Sequence, residues 1–196
     1  TTDFNKFQKM DYPGDNNVTK VVCGWQHNLF LKKDGNIHMN GYNGQGQLGK
    51  TAGSYQWNSS NWNSYGNVSG VIDIACSHQS SMVLTDTGNI KVTGYNGNGE
   101  LGLGHTTQQV AWTVTQSSAT AIFGGRYNFL NYDGTDIRIS GDNDYGQTGT
   151  NNKPTDAQLW AIPTHPVISD TFYNSNNGYC KSLSSINLIN TDTITS

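Results

Sequence analysis

Charge is scarce in this chain. Of 196 residues, 11 are Lys or Arg and 14 are Asp or Glu, for a net charge of −3 and a pI of about 5.9. That leaves no basic field for nucleic acid, whose binding rests on neutralised phosphates. Long hydrophobic runs are also missing. No segment approaches the roughly 20 apolar residues of a membrane helix, so no membrane insertion is expected. Three cysteines, Cys23, Cys76 and Cys180, are too few and odd in number for a full disulfide framework. The five histidines show no HxxxH or other metal spacing. No Ser/His/Asp or Cys/His set is suggested by spacing. The expectation is therefore no catalytic residue, no metal and no cofactor. No targeting segment is visible, and the chain opens at Thr1 without Met, as if processed or excerpted from something longer.

What is abundant is turn-forming and aromatic. The chain has 23 Gly and about two dozen Asn, with ten Tyr, six Phe and five Trp. Low charge and many aromatics argue against disorder, and many turn formers argue for an all-β chain. No segment holds a 3.6-residue apolar period, so little helix is expected.

The sequence repeats itself. Val21 to Gly49 slides onto Ile74 to Gly102 without a gap, by 53 residues. Cys23 meets Cys76, Gly35 meets Gly88, Gly41 meets Gly94, and Gly49 meets Gly102. A third copy runs from Ala121 to Gly149, shifted by 47, with Gly134, Gly141 and Gly149 at the glycine positions. On that shift Phe123 takes the cysteine position, and Asp133-Gly134 comes one residue early. A faint fourth copy begins at Val167, and Phe7 to Met10 resembles the close of repeat three.

Each unit reads as four short strands. In the first these are Val21 to Gly24, Asn28 to Lys32, Ile37 to Asn40 and, after a glycine-rich loop, a strand near Trp112 or Trp160 in the later copies. Asp34-Gly35 between two β-prone runs is a hairpin signal. Four short strands per unit make a propeller blade, and such blades bury their faces only by stacking. The divisions expected are residues 1–17 as a closing strand or arm, 18–67 as repeat 1, 68–118 as repeat 2, 119–163 as repeat 3 and 164–196 as a partial repeat 4. About three and a half units fall short of a comfortable ring. An open arc, or a ring completed by a partner, is expected.

Cys23-Gly24, His27, Asp34-Gly35, Gly41, Asn43 and Gly46-Gln47-Leu48-Gly49 together resemble the regulator-of-chromosome-condensation repeat family. Repeat two departs at Ser77 and Ser80, and repeat three at Phe123 and Thr148. Asn40, Thr93 and Ser140 stand where the family usually has Trp. The resemblance implies a seven-bladed propeller in full-length members, and for His27 a packed, hydrogen-bonded structural role. It implies little about function, since the fold hosts unrelated tasks. Members include a nucleotide exchange factor on chromatin, a secreted enzyme inhibitor and structural proteins of tailed phages. The Lys-poor, Asn/Gly/Ser/Thr-rich style resembles the phage group most.

Three features compete for a chemical reading. Gly44 to Thr51 matches the phosphate-loop pattern, and Gly44, Gly46 and Gly49 match GxGxxG, as do Gly97, Gly99 and Gly102. Both patterns need a strand–loop–helix setting that the flanking sequence lacks, so repeat-loop glycines are the preferred reading. Cys23 and Cys76 sit at equivalent strand positions and read as buried thiols rather than a disulfide. The insert carrying Tyr55, Trp57, Trp62 and Tyr65 is the most individual stretch. It reads equally as a binding surface, for protein or glycan, and as a loop packed on its own blade.

The leading expectation is a non-enzymatic structural or adhesive protein, a virion component such as a tail fibre, adhesin or decoration. It would act through other protein subunits or surface glycans, in the virion or outside the cell. The rival is a cytoplasmic regulatory propeller that binds a small GTPase or inhibits an enzyme.

Overall fold

The structure is a computed structural model that describes residues 17–53, 68–149 and 157–161. The proposed fourth copy, the N-terminal segment, Cys180 and the aromatic insert lie outside the described residues. Within them the secondary structure is all β, in three antiparallel sheets laid side by side. The first sheet holds β1 (Val18–Cys23), β2 (His27–Lys32) and β3 (Ile37–Gly41). The second holds β4 (Val71–Cys76), β5 (Ser80–Thr85), β6 (Ile90–Gly94) and β7 (Gln109–Gln116), in that spatial order. The third holds β8 (Ala121–Gly124), β9 (Asn128–Tyr132), β10 (Ile137–Gly141) and β11 (Ala157–Ala161).

The sheets are copies in register. Leu31 pairs with Ile37, Leu84 with Ile90 and Tyr132 with Ile137. The first two hairpins close alike: Gly35 N–H donates to the Lys32 carbonyl at 3.0 Å, and Gly88 N–H to the Thr85 carbonyl at 2.9 Å. Both glycines have a φ near +76°, as the left-handed residue of a three-residue hairpin loop requires. The third hairpin is one residue shorter. There Asp133 caps the turn itself, its Oδ1 accepting from Thr135 N–H at 2.9 Å and Asp136 N–H at 2.8 Å. Gly134 thus serves a different turn from Gly35 and Gly88.

The shorter turn also corrects the alignment of repeat three. Cys23 pairs with Asn28, Cys76 with Ser81, and Gly124 with Phe129. Gly124, not Phe123, holds the cysteine position, because the missing turn residue shifts everything before it by one. A side chain there would strike the backbone of Cys76, whose oxygen lies 1.9 Å from where a Cβ would sit.

The apolar core lies between sheets rather than within them. One cluster joins Leu29, Ile37, Met39 and Leu48 of the first unit to Val71, Ile74 and Val83 of the second. The other joins Met82, Ile90, Val92 and Leu101 of the second to Ile122 and Phe129 of the third. Each seam is also stitched by polar contacts. Val71 N–H donates to the Gly35 carbonyl at 3.1 Å, and Ala119 N–H to the Gly88 carbonyl at 3.0 Å. Thr93 Oγ1 donates to the Gly46 carbonyl at 2.9 Å, and Ser140 Oγ to the Glu100 carbonyl at 2.6 Å. Small hydroxyls at Thr93 and Ser140 therefore dock the preceding loop.

Candidate functional site

The glycine-rich loops come first, because they carried the phosphate-loop match. Each is built on one asparagine. Asn43 Oδ1 accepts from Leu48 N–H at 2.9 Å, Asn96 Oδ1 from Leu101 N–H at 2.9 Å, and Asn143 Oδ1 from Thr148 N–H at 3.2 Å. The loop N–H groups of Gly46 and Gly49 are spent on Asn43 and Gly46 carbonyls, and the same holds for Gly99 and Gly102 and for Gly146 and Gly149. Thr51 opens no helix. An anion would find these N–H groups already engaged, and no helix dipole at Thr51. Gly49 and Gly102 instead lie under indole rings, Trp112 and Trp160, close enough that a Cβ would clash. Gly41, Gly94 and Gly141 have φ between +105° and +113° and leave room for a carbonyl of the loop that opens β2, β5 or β9.

His27 is buried, and its Nε2 lies 3.0 Å from Ser81 Oγ. Ser81 Oγ donates to the Gln47 carbonyl at 2.7 Å, so it accepts from His27 Nε2–H. Burial pushes the His27 pKa down to about 4, against a backbone hydrogen bond at Ser80 that raises it. The imidazole packs on Gly24, where a Cβ would lie 2.1 Å from Cε1. Ser77 and Ser80 replace Gly24 and His27 together in the second sheet. Without the imidazole the glycine is not needed.

The two strand cysteines are free thiols, but not equally sheltered. Cys76 is half-buried; burial, then the nearby Cys23, push its pKa up. Cys23 is exposed rather than buried, because no sheet precedes β1 among the described residues.

A different region gathers functional side chains. The loops joining β1–β2, β4–β5 and β8–β9 lie at one end of the arc and hold one another hand to hand. Trp25 N–H donates to the His78 carbonyl at 2.9 Å, and His78 N–H to the Arg126 carbonyl at 2.7 Å. Trp25, His78 and Arg126 thus occupy one repeat position, and their side chains form a ladder with Tyr127. The Trp25 and His78 rings stack at 4.5 Å and 13°. His78 and Tyr127 meet at 4.9 Å, tilted by 57°. Arg126 Cζ lies 5.0 Å from the Tyr127 ring centre. Burial and then Arg126 lower the His78 pKa, so its ring is neutral near pH 7 and free to stack.

Beside the ladder, between the second and third sheets, is a cleft of about 400 Å³ walled by His78, Tyr95, Tyr127, Asp142 and Asp144. Planar rings with little rotamer entropy, exposed around a concavity, are the makings of a protein-recognition surface. Sequence reasoning passed over it. The available signal was variation at one repeat phase: Trp25, His78 and Arg126 differ where the flanking residues repeat.

Comparisons with known proteins agree with the repeat fold. Residues 18–47 and 71–100 match the model described as the regulator of chromosome condensation (RCC1) repeat. The rat probable E3 ubiquitin-protein ligase HERC4 is 30% identical over 130 residues, covering 65% of this chain and 11% of that protein. The X-linked retinitis pigmentosa GTPase regulator homolog of Caenorhabditis elegans is 34% identical over 97 residues, covering 47% of this chain and 6% of the relative. The chain thus spans a small part of the relatives it matches. In fold it is similar to human WBSCR16, at TM-score 0.67 and 22% identity, covering 74% of this chain and 39% of that one. It is also similar to Prp20p of Saccharomyces cerevisiae, at TM-score 0.65 and 17% identity, covering 77% and 40%.

Proposed function

We propose, from the premise that this chain carries regulator of chromosome condensation repeats, that it is a regulatory binding module of the propeller type, with no chemistry of its own. Its partner is a protein, of the small-GTPase class, and it works in the cytoplasm. The observation that carries the reading is the ladder of Trp25, His78, Tyr127 and Arg126 on one end of the arc. These side chains are not needed by the repeat, which builds the same loop with three different residues at that position. Half-exposed aromatics and Arg are the residues over-represented among binding hot spots.

The relatives support the regulatory reading over a virion component, since two of the similar proteins are a GTPase regulator homolog and a ligase. A non-catalytic role is supported by the glycine-rich loops, whose N–H groups are spent on the fold. Immobilised full-length chain should bind a small GTPase from a panel loaded with GDP, with GTP or with no nucleotide. Trp25→Ala with Arg126→Ala should weaken that binding at least about tenfold, the scale of one hot-spot pair. Binding by no GTPase of the panel, or binding that ignores both substitutions, defeats the reading.

A second reading, assembly with other subunits, is favoured by one observation. The outer faces of the first and third sheets expose Val21, Phe123 and Ile137. Sedimentation of the full chain across a concentration series separates the two: a single light species speaks against assembly.

A further inference from the structure

Three tripeptides occupy the same place in the three glycine-rich loops: Tyr42-Asn43-Gly44, Tyr95-Asn96-Gly97 and Asp142-Asn143-Asp144. The central asparagine does the same work in each. The flanks do not. In the first two loops the tyrosine folds back over the glycine, so that a Cβ on Gly44 or Gly97 would lie 1.9 Å from the phenol oxygen. The glycine is there because the ring is. In the third loop both change at once. With no ring to accommodate, a side chain is allowed at 144, and both flanks become carboxylates. The paired change places two carboxylates on the third-sheet side of the cleft.

The frame asks little of these carboxylates. Asp142 Oδ1 accepts from Asp144 N–H at 2.9 Å, which any short turn residue could arrange. Among the described residues Asp144 has no side-chain partner, and neither aspartate is ion-paired. Tyr95 and Tyr127 line the same cleft, and Asp142 N–H donates to the Tyr127 carbonyl at 3.0 Å. One of these already holds a cation: the Arg126 guanidinium sits on the Tyr127 ring and does not line the cleft. His78 is the basic group in the lining, and burial and then Arg126 lower its pKa, so it is largely neutral near pH 7. The cleft lining thus combines two carboxylates, two tyrosines and no cation that is charged near neutral pH. Such a set recognises an ammonium or, better, a planar guanidinium.

We propose that this cleft takes an arginine or lysine side chain presented by a basic segment of a protein partner. That the occupant belongs to a protein rests on the preceding reading; that it is cationic rests on the cleft itself.

The test uses the full chain and two fluorescent probes, octa-arginine and octa-glutamate, followed by anisotropy at 0.1 M salt. Octa-arginine should bind and octa-glutamate should not. Asp142→Tyr with Asp144→Gly copies the second loop, so it keeps the fold while removing both carboxylates from the cleft. It should weaken octa-arginine at least about tenfold. Asp86→Asn removes an exposed charge from the opposite end and should leave binding within about twofold. Equal binding by the double variant overturns the proposal. So does equal weakening by Asp86→Asn, which would mean net charge alone. Displacement of octa-arginine by equimolar spermidine overturns the commitment to a peptide segment. If octa-arginine fails while a small GTPase still binds, this inference falls and the regulatory reading stands. The reverse result leaves the cleft and removes the reading.

Discussion

The inner seams and the outer faces of this arc are built from the same residues at the same register, yet they differ in what surrounds them. Ile37 and Ile90 point from the first and second sheets into the seam ahead and are at most 2% exposed. Ile137 holds the same position in the third sheet and is 53% exposed. On the other face, Ile74 and Ile122 are sealed while Val21 is 50% exposed. The strand pairing that positions them is alike in all three sheets. A single sheet therefore makes its hydrogen bonds but cannot bury its own apolar face; its neighbour supplies the burial, as expected of repeat proteins. Stability sits in the seams, and that is where substitutions should be felt.

The largest effect follows directly. Ile90→Ala should destabilise the chain by about 2–5 kcal/mol, the cost of lost burial plus a cavity. Ile137→Ala, the same change at the same register, should cost no more than about 0.5 kcal/mol. Urea denaturation of both variants checks the pair. Equal costs would mean that Ile137 is covered and that the comparison fails.

The two seams also differ from each other, through His27. Its pKa is low in the fold, so the folded state binds fewer protons than the unfolded state below about pH 6.5. Its contribution is complete above that value and is lost as pH falls toward 4. Between pH 7 and pH 4.5 the loss should be about 2–3 kcal/mol. The second sheet has Ser80 in its place and no such dependence. Gly24→Ser with His27→Ser, which copies the second sheet, should flatten the pH profile in that window. Asp133 acts in a lower window. Backbone N–H from Asp136, and then Arg138, hold its carboxyl well below the usual range, so its contribution falls only below about pH 4. Stability curves at pH 7, 6, 5 and 4.5 separate the two.

Glycines sharpen the comparison further. Gly102 and Gly149 share a φ of 64°, so alanine is strained equally at both. Gly102 lies under the Trp160 ring, whereas Gly149 is exposed at the outer face. Gly102→Ala should exceed Gly149→Ala by about 1–3 kcal/mol, the usual cost of overpacking. Thermal unfolding of the two variants measures the difference.

These pairs also explain what the sequence disclosed. The hairpins, the short strands of each repeat and the loop glycines were legible because they are local: a turn glycine or an alternating strand leaves its mark within a few residues. The register of repeat three was misjudged by one residue at Phe123. A single missing turn residue, visible as the early Asp133-Gly134, has consequences only upstream, where the sequence offers no second marker. Cys23 was read as buried together with Cys76, its equivalent in the next repeat, yet it is exposed. Exposure depends on whether a neighbour stands in front of β1, and the residues themselves cannot tell. The end-face ladder was missed for the opposite reason. Its residues are defined by not repeating, while attention to aromatic content led to Tyr55, Trp57, Trp62 and Tyr65 in the insert. The changes at Ser77 and Ser80 were visible as two single departures, and the pair at Asp142 and Asp144 was passed over. Only the packing of the ring on the glycine in the other repeats shows that each pair is one departure.

The smallest expected effect on stability is the most informative about the outer face. Phe123→Ser replaces a ring that is more than half exposed, so its cost should stay within about 0.5 kcal/mol. In the seams the equivalent position is Val22 or Ala75, each packed against the sheet ahead, and the same polar residue there would strand a hydroxyl among aliphatic groups. If the third sheet's outer face is open, Phe123→Ser should leave the unfolding midpoint unchanged and lower both dye binding and self-association, because it thins an apolar patch rather than a core. If it is already covered, the serine should cost more than about 1 kcal/mol, and dye binding should rise as the cover loosens. Opposite signs in dye binding make the experiment decisive even where the change in stability is small.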